Sequence, residues 1–121
     1  MIGYLIDTSV LIAQYEDKLP RSQVERVESS HAAISTISIF EFNKFLRNEG
    51  KLQDWEEIRL ILARYTVIPP DFETCELAGE LANSKGLSTA DSLIYATALQ
   101  NDYRLLTRDS DFDKMEKVEV I

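Results

Sequence analysis

Asp7 closes the apolar run GYLID and is followed at once by Thr8 and Ser9, residues that start helices. Glu41 falls within TISIFEFNKFLR, Asp91 within LSTADSLIYATALQ, and Asp109, Asp111 and Asp113 follow YRLLT. Carboxylates gathered in one crevice repel one another and bind protons more tightly unless a cation neutralises them. Oxygen donors of this kind select Mg2+ or Mn2+ over zinc. The softer ligands zinc favours are scarce, since Cys75 is the single cysteine and His31 the single histidine.

Each acid also has a simpler role. Asp7 could cap the next helix, although Thr8 or Ser9 would serve as well. Ser38-Ile39-Phe40-Glu41 fits a capping box. Asp91 in a first helical turn complements the helix dipole. Asp109, Asp111 and Asp113 could form a solvated acidic loop, the reading adopted for Asp113. Position separates function from capping. At about 100° per residue, Glu41 lies between Ile37 and Phe45 and borders the apolar face of its helix. Asp91 heads the row Ile94, Tyr95, Ala98, which should pack on a sheet.

The elements that must position these acids follow from periodicity. Short strands are predicted at 3–7, 32–36, 65–70 and 103–107, with a fifth at 118–121 short enough to be an edge. Helices are predicted over 10–15, 21–29, 37–48, 55–65, 72–84 and 89–101. Asp54 and Asp71 stand at N-cap positions, and Gly50 and Gly86 where helices would end. The alternation predicts a three-layer α/β sandwich with a mainly parallel central sheet of four or five strands flanked by helices. In such a sheet, ligands bind outside the carboxyl ends of the strands. The helix before the fourth strand runs antiparallel to it, so Asp91 should arrive beside Asp7. His31, ahead of the second strand, belongs at the opposite edge, and Cys75 is assigned to the core.

With 121 residues, 45% of them hydrophobic and 28% charged, the chain is expected to form one domain, 1–121, without disulfides. No apolar run approaches the roughly 20 residues of a membrane span and no secretory signal pattern is read, so the expectation is cytoplasmic. The net charge of −8 argues against tight non-specific nucleic-acid binding, which needs a basic face.

In order and separation, YLIDTSVLI, AISTISIFEF, LSTADSLIYATAL and LLTRDSDF resemble the PIN domain, and within it the VapC-type toxin ribonucleases. The resemblance spans essentially the whole chain. It implies an endoribonuclease dependent on Mg2+ or Mn2+, hydrolysing single-stranded RNA through Asp7, Glu41, Asp91 and Asp109. Asp7 and Asp91 would be the principal metal ligands, Asp109 or Asp111 would complete the site, and Glu41 would act through water. Thr8 and Thr107 match accessory hydroxyl positions. A homodimer and a cognate antitoxin are implied as partners. Lys44 and Arg47 follow Glu41 on one helix and Arg108 adjoins Asp109, and all three are assigned to substrate phosphates.

Other classes fit less well. A phosphoacceptor receiver would carry paired acids after its first strand and a lysine at the end of a late one, where this chain has one Asp and Thr107. A haloacid-dehalogenase-type phosphatase would have Asp where Ser9 stands. A dinucleotide binder would need a glycine-rich turn that DTSV lacks. The remaining alternative is a PIN-like binding or regulatory module that cleaves little.

Overall fold

Leu5 and Ile6 are neighbours in sequence yet both wholly buried, as are Ala33 and Ile34, and Leu105 and Leu106. Successive strand residues point to opposite faces, so such pairs require cover on both sides of the sheet. The computed structural model, which describes residues 3–28 and 31–121, supplies that cover. The strands β1 (Tyr4–Ile6), β2 (Ala33–Ser35), β3 (Thr66–Ile68), β4 (Arg104–Thr107) and β5 (Val118–Val120) form one sheet in the order β3-β2-β1-β4-β5. Every pairing is parallel.

Helices α1 (Thr8–Tyr15), α2 (Arg21–Val27), α3 (Thr36–Asn48) and α4 (Trp55–Leu62) cover one face. There Val10, Leu11, Val27, Phe42, Leu46, Ile58 and Leu62 pack with Ile6, Ile34 and Leu106. Helices α5 (Phe72–Lys85) and α6 (Thr89–Gln100) cover the other. On that side Ala78, Leu81, Ile94, Tyr95 and Ala98 pack with Leu5, Ala33, Leu105 and Phe112. The predicted sandwich is therefore correct, and all five strands belong to its sheet.

Strand order adds what periodicity could not. From β1 the chain moves outward to β2 and β3, then returns to place β4 on the other side of β1. The β1–β4 boundary is thus a topological switch point, where connections leaving the carboxyl ends diverge and open a crevice. Gly3 lies at the other end of this layer. A Cβ there would stand 2.3 Å from the His31 carbonyl oxygen, so the approach of the two backbones requires glycine.

Several local expectations differ from the structure. The helix predicted over 55–65 ends at Leu62, because 66–68 extends to pair with β2. The last residue of the helix predicted over 21–29 lies outside the described residues. Asp71 caps α5 by accepting from the Thr74 amide at 2.9 Å, and Gly86 ends that helix in the left-handed region. Asp54 makes no cap bond; its carboxylate accepts instead from the Tyr15 hydroxyl at 2.5 Å, tying α1 to the turn before α4. That bond, with burial and the charge of Asp54 adding to it, pushes the Tyr15 phenol up to about 12. Cys75 is exposed, because α5 turns Thr74, Ala78 and Leu81 to the sheet.

Candidate active site

Two strands pass into helices without a loop, and this sets the site. Asp7 occupies the N-cap position of α1, yet its side chain makes no cap bond. It is 4% exposed, and its Oδ2 accepts from Ser9 Oγ at 2.6 Å and Thr107 Oγ1 at 2.8 Å. Both bonds fall on one oxygen, so Oδ1 is the atom left to a ligand. The positive end of the α1 dipole lies directly behind this carboxylate.

The same hydroxyls organise the chain leaving β4. Ser9 Oγ accepts from the Arg108 amide at 3.0 Å, and Thr107 Oγ1 accepts from the Asp109 amide at 3.0 Å. Asp109 then accepts from the Asp111 amide at 2.9 Å, fixing the turn that carries both acids. In the sequence Ser9 reads only as a cap; its place beside Thr107 depends on β1 and β4 being neighbours. Thr107 is wholly buried. Thr107→Val is expected to destabilise the fold by about 1–3 kcal/mol, because a part-buried amide and the buried Asp7 carboxylate each lose a partner. Urea unfolding checks this: a valine variant that keeps the parent midpoint would mean the hydroxyl holds nothing in place.

Helix α3 begins one strand away, on Ser35, whose Oγ accepts from the Ile37 amide at 3.1 Å. The Ser38–Glu41 capping box does not form, because the helix starts earlier and both residues face Thr8. Thr8 Oγ1 donates to Glu41 Oε1 at 2.6 Å and lies 2.9 Å from Ser38 Oγ. Glu41 is thus directed toward α1, the inward placement its helical phase predicted.

Helix α6 delivers Asp91 from the opposite face of the sheet. Ser88 caps the helix by accepting from the Asp91 amide at 3.2 Å. Burial raises the Asp91 carboxyl, and the Asp7 carboxylate raises it further. The Ser88 hydroxyl opposes this, Asp109 and Glu41 add to it, and the group is pushed up to about 6. Asp7, Glu41, Asp91 and Asp109 line one open cleft of about 450 Å³ with Thr8, Ser9, Ile12, Phe40, Lys44, Phe45 and Asn48. Asp111 faces a neighbouring recess that it shares with Asp91 and Lys85. Of the three basic residues assigned to substrate, Lys44 lines the cleft. Arg47 and Arg108 are outside the lining; Arg47 donates to Asn43 Oδ1 at 2.8 Å, and Arg108 is exposed.

The donor set suits a hard divalent cation: it is all oxygen, and burial with the neighbouring carboxylates already raises the proton affinity of Asp91, a penalty a cation would relieve. Among the described residues, no three acidic, histidine or cysteine side chains stand as a closed ligand group.

A parallel five-stranded sheet with its acids at the β1–β4 switch defines the class of protein. The PIN domain model matches residues 4–118, and the chain belongs to that family. Ribonuclease VapC1 of Rickettsia felis is 29% identical over 133 residues, covering 99% of this chain and 96% of that protein. The toxin-antitoxin complex from Klebsiella pneumoniae contains a chain that superposes with a TM-score of 0.82 at 25% identity, covering 98% of this chain and 97% of that one. DNA-bound VapBC from Salmonella typhimurium gives 0.82 at 18% identity, with 100% and 98% covered.

Proposed function

We propose that this protein is a PIN-domain endoribonuclease, the toxin of a toxin-antitoxin pair, and that it hydrolyses phosphodiester bonds of single-stranded RNA with Mg2+ or Mn2+. The observation that carries the reading is the cleft where Asp91 from α6 meets Asp7, Glu41 and Asp109, which arrive from three other points of the chain; burial and then these acids raise its proton affinity. The relatedness to ribonuclease VapC1 supports it, and the toxin-antitoxin relatives support an antitoxin partner.

Asp7 and Asp91 would hold the cation, with Asp109 or Asp111 completing the set. A bound divalent cation supplies charge stabilisation at the phosphate and a water acidic enough to attack near neutral pH. Ser9 and Thr107 hold Asp7 in one rotamer through Oδ2, so its free oxygen needs no reorganisation on binding. Thr8 fixes Glu41 through Oε1, leaving Oε2 to accept the proton of the attacking water. Lys44 receives a substrate phosphate on the α3 wall, and Arg108 assists. The open cleft admits a flexible strand more readily than a stiff duplex.

A homodimer and a cognate antitoxin complete the proposal. A separate groove of about 360 Å³ between α1, α3 and α4 has an apolar floor that includes Leu11, Phe42, Ile58 and Leu62, with Asp54 and Glu57 among its polar lining. It suits the apolar face of a helix from the antitoxin. The test incubates purified protein with mixed RNAs in Mn2+ and in EDTA, and co-expresses it with the adjacent small open reading frame. Cleavage in Mn2+, silence in EDTA and a stable complex are expected. Full cleavage in EDTA would reject the metal-dependent reading, and an inactive protein that still binds its partner would favour a regulatory module.

A further inference from the structure

Phe40 leaves 64% of its surface in solvent, and it does so on the wall of the acidic cleft. The core makes no demand on this ring. On the same helix Phe42 and Leu46 take the buried positions, and Phe42 and Phe45 pair edge-on with Tyr15, whereas Phe40 joins no such ring cluster among the described residues. Apolar area kept in water contributes nothing to folding, and this exposed ring, unlike Phe72 or Leu60, stands on the wall of the cleft.

Its neighbours there indicate a role. Phe40, Lys44 and Asn48 follow one another at four-residue spacing, and all three line the cleft beside the inner row of Glu41 and Phe45. One wall therefore presents an aromatic face, an ammonium and a carboxamide in sequence, next to the acids. Proteins that hold single strands without strict sequence preference combine those elements: rings on which bases stack and cations that follow the backbone.

We propose that Phe40 is a stacking platform for a nucleobase of the RNA strand lying in the cleft, with Lys44 taking an adjoining phosphate. The inference deepens the ribonuclease reading and rests on it for the identity of the strand. The platform accepts any base, because every base has a π-face, and it disfavours duplex, whose bases are already stacked on one another.

The test measures binding of a short fluorescein-labelled single-stranded RNA by anisotropy, alongside an oligoribonucleotide lacking its bases. Ca2+ replaces Mn2+ in the titrations, and a gel checks that the strand stays intact. Phe40→Ala should weaken binding of the RNA about tenfold while Phe40→Trp restores it. Binding of the abasic strand should be the same for all three proteins, as should their melting temperatures, since the ring is exposed.

Unchanged RNA binding by Phe40→Ala overturns the proposal, and so does equal weakening toward the abasic strand. Loss of self-association in sedimentation with RNA binding intact would assign the ring to a protein contact and overturn it as well. A wild-type protein that binds no strand overturns it outright. One that binds RNA through Phe40 yet cuts nothing in Mn2+ would sink the ribonuclease reading and leave the platform standing.

Discussion

Asp7→Asn should fold normally and cleave single-stranded RNA in Mn2+ more slowly than the parent chain by more than about 100-fold, the upper end of what losing an outer-shell partner costs a metal site. Asparagine keeps the shape and an acceptor oxygen for Ser9 and Thr107, so the network around Oδ2 survives. What disappears is the charge. Asp7 is 4% exposed at the head of α1. Gel-based cleavage rates, with circular dichroism melts as the folding control, check the expectation. Undiminished cleavage would remove Asp7 from the site.

Asp91→Asn should raise the melting temperature in EDTA at neutral pH. The Asp91 carboxyl is pushed from 3.8 to about 6, first by burial and then by Asp7. Its folded form therefore holds the proton more tightly than its unfolded form. As pH rises from about 4 to about 6 the unfolded chain releases that proton first, so stability falls through this window and the full penalty applies above it. Two units would be about 3 kcal/mol for a group shut off from water; Asp91 is only partly buried, and solvent screening reduces the figure to about 1 kcal/mol.

For a chain of this size that corresponds to a rise of about 4 °C in Tm. The gain should vanish below about pH 4, where both states are protonated. Added Mn2+ should then stabilise the parent more than the variant, since an ion stabilises only to the extent that it prefers the folded site. Scanning fluorimetry across pH, with EDTA and with Mn2+, gives all three readings. A variant that melts lower in EDTA, yet responds to Mn2+ as the parent does, would return Asp91 to the role of a helix-terminal acid.

The two variants test one electrostatic arrangement from opposite sides. Asp7 is held by hydroxyls and completes a site, so its loss is read in the rate. Asp91 bears the repulsion of its neighbours, so its loss is read in stability. Such a division is expected where a functional constellation is preorganised against the preference of the fold.

By itself the sequence determined the layers and the edge that holds the site. Paired buried residues such as Leu5-Ile6 and Leu105-Leu106 demand helices on both faces, and a parallel sheet aligns its carboxyl ends; Asp7, Asp91 and Asp109 therefore had to meet at one edge. Helical phase turned Glu41 inward for the same local reason. Local patterns misled where a residue had two partners within reach: Ser38 and Glu41 match a capping box, and Asp54 an N-cap, but Thr8 and Tyr15 bond to them instead. Cys75 was misplaced because a single apolar residue carries little information about which face of its helix it occupies. Only the tertiary structure decided that β1 neighbours β4, which makes their boundary the switch point and lets Ser9 and Thr107, 98 residues apart, converge on the Asp7 carboxylate. Strand order is set by how non-local crossovers pack against the completed sheet, and that energy belongs to no single stretch of the chain.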